Sequence, residues 1–149
     1  MLRYLPCLYA FIACAAFCFI FQVRKPLFIF LCSLNGAVSW WVYLLADSLG
    51  SDTARYFVAT IAVTIFAELL ARILKAPATI FLVIGIIPLV PGGGLYYTMD
   101  YLINGNFAMF TQKGLQTAAA AGAIAAGASM VTSIVRMLTW RKAPLPPSN

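Results

Sequence analysis

The chain has no histidine, only four acidic residues (Asp47, Asp52, Glu68 and Asp100) and no two cysteines at CxxC spacing. Each shortage excludes something. Without histidine, and with Cys7, Cys14, Cys18 and Cys32 spread at other intervals, the ligand patterns of zinc and related metal sites are missing. No metal and no cofactor is expected. A hydrolytic or acid–base enzyme needs a nucleophile, a base and an orienting group, so an intramembrane enzyme is an improbable reading. No phosphate-binding loop of the Walker type occurs, which argues against ATP-driven chemistry. Charge is scarce overall, at 9% of residues, whereas 63% are hydrophobic. Soluble domains sit near roughly half apolar and a quarter charged. At 149 residues the chain is too short to bury that excess in a soluble core. Lipid can solvate it, so the expected class is an all-α integral membrane protein.

What is present is a series of apolar runs. They cover about 5–21, 27–46, 56–74, 78–103 and 114–138, each near the roughly 20 residues that cross hydrocarbon. The expected fold is a bundle of about five transmembrane helices over residues 1–140, the fourth broken by a Pro/Gly motif. Residues 141–149 (RKAPLPPSN) carry nothing to bury and are expected to be a disordered cytoplasmic tail. The first run invites comparison with a cleaved signal peptide. Ala13-Cys14-Ala15 weakly imitates a cleavage site, but Ala16 to Phe21 stays apolar, which favours a retained span.

The net charge of +6 raises the question of nucleic acid. The basic residues occur instead as short groups between apolar runs, the habit of membrane-helix flanks, so no nucleic-acid partner is expected. An external amino terminus puts Arg24, Lys25, Arg72, Lys75, Arg136, Arg141 and Lys142 in the cytoplasm. Arg3, Arg55 and Lys113 then fall outside with Asp47, Asp52 and Asp100. That partition needs an odd number of crossings. Trp40, Trp41 and Tyr43, near the end of the second run, suit an interfacial belt. The likeness of KPLFIFL (25–31) to APATIFL (76–82) is compatible with a repeated helix pair or with chance.

The residues that could carry function are few. Pro88 and Pro91 withhold the donors that the carbonyls of Ile84 and Ile87 would use in a helix, and Gly92, Gly93 and Gly94 follow directly. An unpaired backbone group in lipid costs several kcal/mol, so such a break is expected against protein or water. Its carbonyls are candidate acceptors for a cation or ammonium, and the N–H groups near Gly93 to Tyr96 are candidate donors to a carboxylate. The alternative is a kink that only shapes packing. Glu68 is the one acid well inside an apolar run, since Asp100 lies nearer the end of its own. It is expected either to couple ion movement or to pair with Arg72, four residues on. Asn35, with Ser33 and Ser39, is expected to line a polar path or to bond a neighbouring helix. Two rows of small residues, Ala118/Gly122/Ala126 and Ala119/Ala123/Gly127, favour close helix packing. The cysteines read as small apolar side chains.

The stretch PATIFLVIGIIPLVPGGGLYY (77–97) resembles the signature region of the threonine/serine exporter family, most closely its small split subunit, the YjjB-like group. The resemblance implies export of small carboxylate metabolites, threonine and serine or succinate, across the bacterial cell inner membrane. It implies a larger membrane subunit of the same family as partner. It carries over no assigned substrate residue, so the candidates Pro88, Pro91, Gly92, Gly93, Gly94, Tyr96 and Asn35 rest on the backbone argument. A non-transporting structural or regulatory subunit is the alternative.

Overall fold

A computed structural model describes residues 4–140 of the chain, so the tail at 141–149 lies outside the described residues. Six α-helices follow one another: α1 (Leu5–Ile20), α2 (Pro26–Leu45), α3 (Asp52–Leu74), α4 (Ala78–Ile86), α5 (Gly92–Ile103) and α6 (Phe107–Trp140). Short 3-10 turns follow α2 (Ala46–Leu49) and α4 (Ile87–Leu89). Among the described residues there is no strand.

Local chemistry sets the helix ends. Pro26 occupies the first turn of α2, where a missing N–H is harmless. Helices α1, α3 and α5 close in the same way. A residue with positive φ (Gln22, Lys75 or Gly105) is followed by an N–H that reaches back five residues: Val23 to Cys18 at 2.9 Å, Ala76 to Ala71 at 3.0 Å and Asn106 to Tyr101 at 2.9 Å. Each bond satisfies a carbonyl that the helix end would leave bare. At the start of α6 the Asn106 side chain accepts the Met109 N–H at 3.2 Å.

Three helical stretches are long and apolar enough to cross a bilayer: Pro26–Leu49, Asp52–Leu74 and Phe107–Leu138. Helices α4 and α5, bent by 48° across the break, make a fourth if they are one span. The sixteen residues of α1 rise about 24 Å, short of the roughly 30 Å of hydrocarbon. The structure thus supports three to four crossings where the apolar runs suggested about five. Helix α6 also begins seven residues before the expected 114. The asparagine cap and the pairing with α5 extend it through Gln112 and Lys113, which hydropathy reads as an ending.

Two apolar clusters hold the bundle. Cys14, Cys18 and Cys32 pack with Ala67, Leu70, Ala71, Phe81 and Ile84, joining α1, α2, α3 and α4. The cysteines are wholly buried and serve as small core side chains. Ala59, Leu89 and Ile124 form the second cluster, flanked by Trp40, Tyr43, Tyr56 and Ile86. The small-residue rows of α6 divide. Ala123 and Gly127 are buried, and a methyl at Gly127 would lie 3.1 Å from the Phe57 carbonyl of α3. Ala118, Gly122 and Ala126 face outward, and a methyl at Gly122 would have no atom within 4 Å.

Candidate functional site: a broken helix and a charged cleft

The break is a compact set of turns. Helix α4 ends at Ile86. The Ile87 N–H then bonds the Ile84 carbonyl, and the Val90 N–H bonds the Ile87 carbonyl at 3.2 Å. Pro91, with φ −76° and ψ 57°, is the centre of an inverse γ-turn closed by the Gly92 N–H on the Val90 carbonyl at 2.7 Å. The Cys14 thiol, from α1, gives the Ile84 carbonyl a second donor at 3.3 Å. The two carbonyls deprived by proline are therefore paired. The expectation of free acceptors for a cation or ammonium is corrected: tighter i→i+3 bonds and one thiol replace the lost donors.

The break packs closely on one side. A methyl at Gly36 would collide with Cys14 Sγ and approach Pro88, so this glycine lets α1, α2 and the 3-10 turn meet. A methyl at Gly85 would collide with the Asn35 amide. Asn35 is fully buried; its Nδ2 donates to the Phe81 carbonyl at 3.0 Å, and its Oδ1 has no partner among the described residues. Ser33 and Ser39 bond carbonyls of their own helix, Ile29 at 2.7 Å and Gly36 at 2.6 Å. Of Ser33, Asn35 and Ser39, Asn35 is thus the one that reaches a neighbouring helix through its side chain.

The other side is bare. Gly92 and Gly93 are exposed, and a methyl at either would meet nothing within 4 Å. Gly94 differs, since a methyl there would lie 2.5 Å from Thr117 Oγ1 on α6. The Thr98 hydroxyl donates to the Gly94 carbonyl at 2.7 Å. Tyr96 is 68% exposed and meets Tyr97 edge to face, with centroids 5.5 Å apart. Asn35 and Tyr96 therefore serve different faces of the break and do not converge.

Glu68 and Arg72 lie elsewhere, on the last turns of α3. With Ala71, Ala76, Ala78, Thr79, Thr132, Val135 and Arg136 they line a cleft of about 450 Å³ between α3, the start of α4 and the end of α6. Among the described residues no ion pair joins Glu68 to Arg72. The Arg72 guanidinium instead donates to the Val135 carbonyl at 3.5 Å. At the opposite end of α3, Arg55 contacts Asp47 and Asp52, both at 3.1 Å, and stacks on Tyr43 at 4.3 Å. Three groups escaped sequence reasoning: the Cys14 donor, the Gly36 and Gly85 contacts, and the contribution of Thr79, Thr132 and Arg136 to the cleft. Glycines inside long apolar runs, with no proline beside them, were the available signal for the second.

Long apolar helices, an all-α bundle and a proline-broken segment define a polytopic membrane protein. The family model described as Threonine/Serine exporter, ThrE, matches residues 6–134, and the chain belongs to that family. It is accordingly a transport protein of the threonine/serine exporter type rather than an enzyme family member. No curated protein matches the chain, and no solved structure does.

Proposed function

We propose that this chain is one subunit of an ion-coupled exporter that moves threonine, serine or a small dicarboxylate such as succinate out across the bacterial inner membrane. A larger membrane subunit of the same family completes the path. Helix α1 is the first of five crossings, tilted little and bracketed by Arg3 and the Arg24–Lys25 pair, with the amino terminus periplasmic and the carboxyl terminus cytoplasmic. The carrying observation is the bare start of α5. Among the described residues the Gly93 and Gly94 N–H groups have no hydrogen-bond acceptor, and a methyl at Gly92 or Gly93 would meet no atom within 4 Å. Within a span, lipid cannot satisfy such donors, so protein, water or substrate must. A substrate carboxylate fits the charge sense of a helix amino terminus. The larger subunit would close the remaining side of this region, with Tyr96 at its rim. Glu68, beside Arg72, would carry the coupling ion, since an acid within a span suits that task.

The test is efflux of labelled threonine, serine and succinate from vesicles containing the co-purified complex. Gly92→Val with Gly93→Val should abolish efflux while the complex still assembles. Full efflux from that double variant would remove the site. Cysteine labelling at both termini tests the topology, and finding them on one side would remove the five-span arrangement.

A second reading draws on one observation. The carbonyl side of the break is sealed by Cys14, Gly36 and Leu89, as a packing kink would be. On that reading the chain stabilises a partner that transports without it, and the partner alone should then retain efflux.

A further inference from the structure

We infer that the cleft at the Arg72 end of α3 is a capture site for an α-amino acid zwitterion. In it Glu68 takes the ammonium, and Arg72 with Arg136 takes the carboxylate. The inference rests on the transport reading above and deepens it by choosing the amino acid over the dicarboxylate. It places substrate at a second location, away from the bare start of α5.

Two opposite charges of α3 stand at the cleft without pairing to each other. Glu68 and Arg72 stand four residues apart on α3, a spacing at which opposite charges ordinarily meet. Here they do not, and Arg72 turns to the Val135 carbonyl of α6. Glu68 is half-buried and, among the described residues, neither accepts a hydrogen bond nor joins an ion pair. A ligand ammonium would give this carboxylate a charge-assisted partner.

The cleft has room for such a ligand. Its volume of about 450 Å³ falls within the usual span of small-molecule sites. Its charged lining is one carboxylate from α3 and two guanidiniums, one from α3 and one from α6. The α4 side contributes Thr79 and two alanines, and no titratable group. Two guanidiniums match a carboxylate and its paired oxygens. The Thr79 and Thr132 hydroxyls can bond a side-chain hydroxyl of the ligand. A dicarboxylate would satisfy the arginines but would set a second negative charge against Glu68, so the lining selects for an ammonium. Arg72, Lys75 and Arg136 mark this end as cytoplasmic by the basic-residue rule, where an exporter must collect its cargo.

Equilibrium binding of radiolabelled L-threonine tests the site. The full chain in lipid nanodiscs is used, alone and with its co-purified membrane partner. Competitors are succinate, L-threonine methyl ester (no carboxylate) and 2,3-dihydroxybutyrate (no ammonium). The wild type should bind threonine and resist all three. Glu68→Gln should weaken threonine by about tenfold or more and should no longer distinguish it from 2,3-dihydroxybutyrate. Glu68→Asp should recover part of that distinction, which a purely structural role would not explain. Arg72→Gln and Arg136→Gln should lose discrimination against the methyl ester. If the wild type binds threonine and Glu68→Gln and Arg72→Gln bind it equally well, this site is wrong and the transport reading stands. If the wild type binds succinate but not threonine, the choice of amino acid is wrong. If neither preparation binds threonine, serine or succinate, both readings fall.

Discussion

Two pairs of glycines sit on either side of the break, and they serve opposite purposes. Gly36 and Gly85 are places where a neighbour presses in: Cys14 against one, Asn35 against the other. A methyl at Gly92 or Gly93 would meet nothing within 4 Å. The first pair lets α1, α2 and α4 close on one another. The second leaves a helix start uncovered. The same residue type thus marks finished packing in one region and an unfinished surface in the other.

The contrast can be broken most forcefully at the packed pair. Gly85→Ala should cost about 2 to 3 kcal/mol, because the buried Asn35 amide must move. Denaturant unfolding in detergent reads this. Asn35→Ala in the same chain should recover much of the loss, a coupling that distant sites would not show. Next comes Cys14→Ala, which removes a buried sulfur and one of the two donors to the Ile84 carbonyl. About 1 to 2 kcal/mol should be lost, and Cys14→Ser should lose less of the hydrogen-bond part. Gln22→Gly should act in the other direction, raising thermal stability by up to about 1 kcal/mol, because Gln22 holds a φ of 56° that glycine adopts without strain. The smallest stability change belongs to Gly93→Val, within about 0.5 kcal/mol by the same unfolding measurement, since no neighbour is displaced. A loss as large as that of Gly85→Ala would erase the distinction between the pairs.

Much of this was legible in the sequence, for reasons that differ by element. The cores of α2, α3 and α4 follow from unbroken apolar runs, and the break follows from Pro88 and Pro91, which forbid helix continuation whatever surrounds them. The fate of the Ile84 carbonyl was not legible. One of its donors comes from Cys14, seventy residues away, and no local pattern encodes that meeting. The spacing of Glu68 and Arg72 suggested a pair, yet the proximity of α6 gave Arg72 another acceptor. The count of crossings was read from the apolar runs and from the basic residues between them, and neither measures the sixteen residues of α1 against the thickness of a bilayer. Among the candidate site residues, the sequence identified those that break a helix more reliably than those that gather around a cleft. The former act through their own backbone, and the latter only through tertiary contact.

The bonds around the break are short-range: Ile87 to Ile84, Val90 to Ile87 and Gly92 to Val90. No backbone hydrogen bond crosses from the Val90–Pro91 junction to another helix among the described residues. The junction is therefore joined to the other helices by side-chain packing rather than by backbone bonds. A change in the angle between α4 and α5 would fall on the torsions of Val90, Pro91 and Gly92 at the cost of the Gly92 N–H bond to the Val90 carbonyl, and the fixed φ of proline leaves few torsions to share it. Because Gly94 is wedged against Thr117, and Gly114 lies against Thr98, α5 carries the first turns of α6 with it. Helix α6 runs on unbroken to Gly127, which lies against the Phe57 carbonyl of α3, so any change of angle at the break reaches the packed half of the bundle through it.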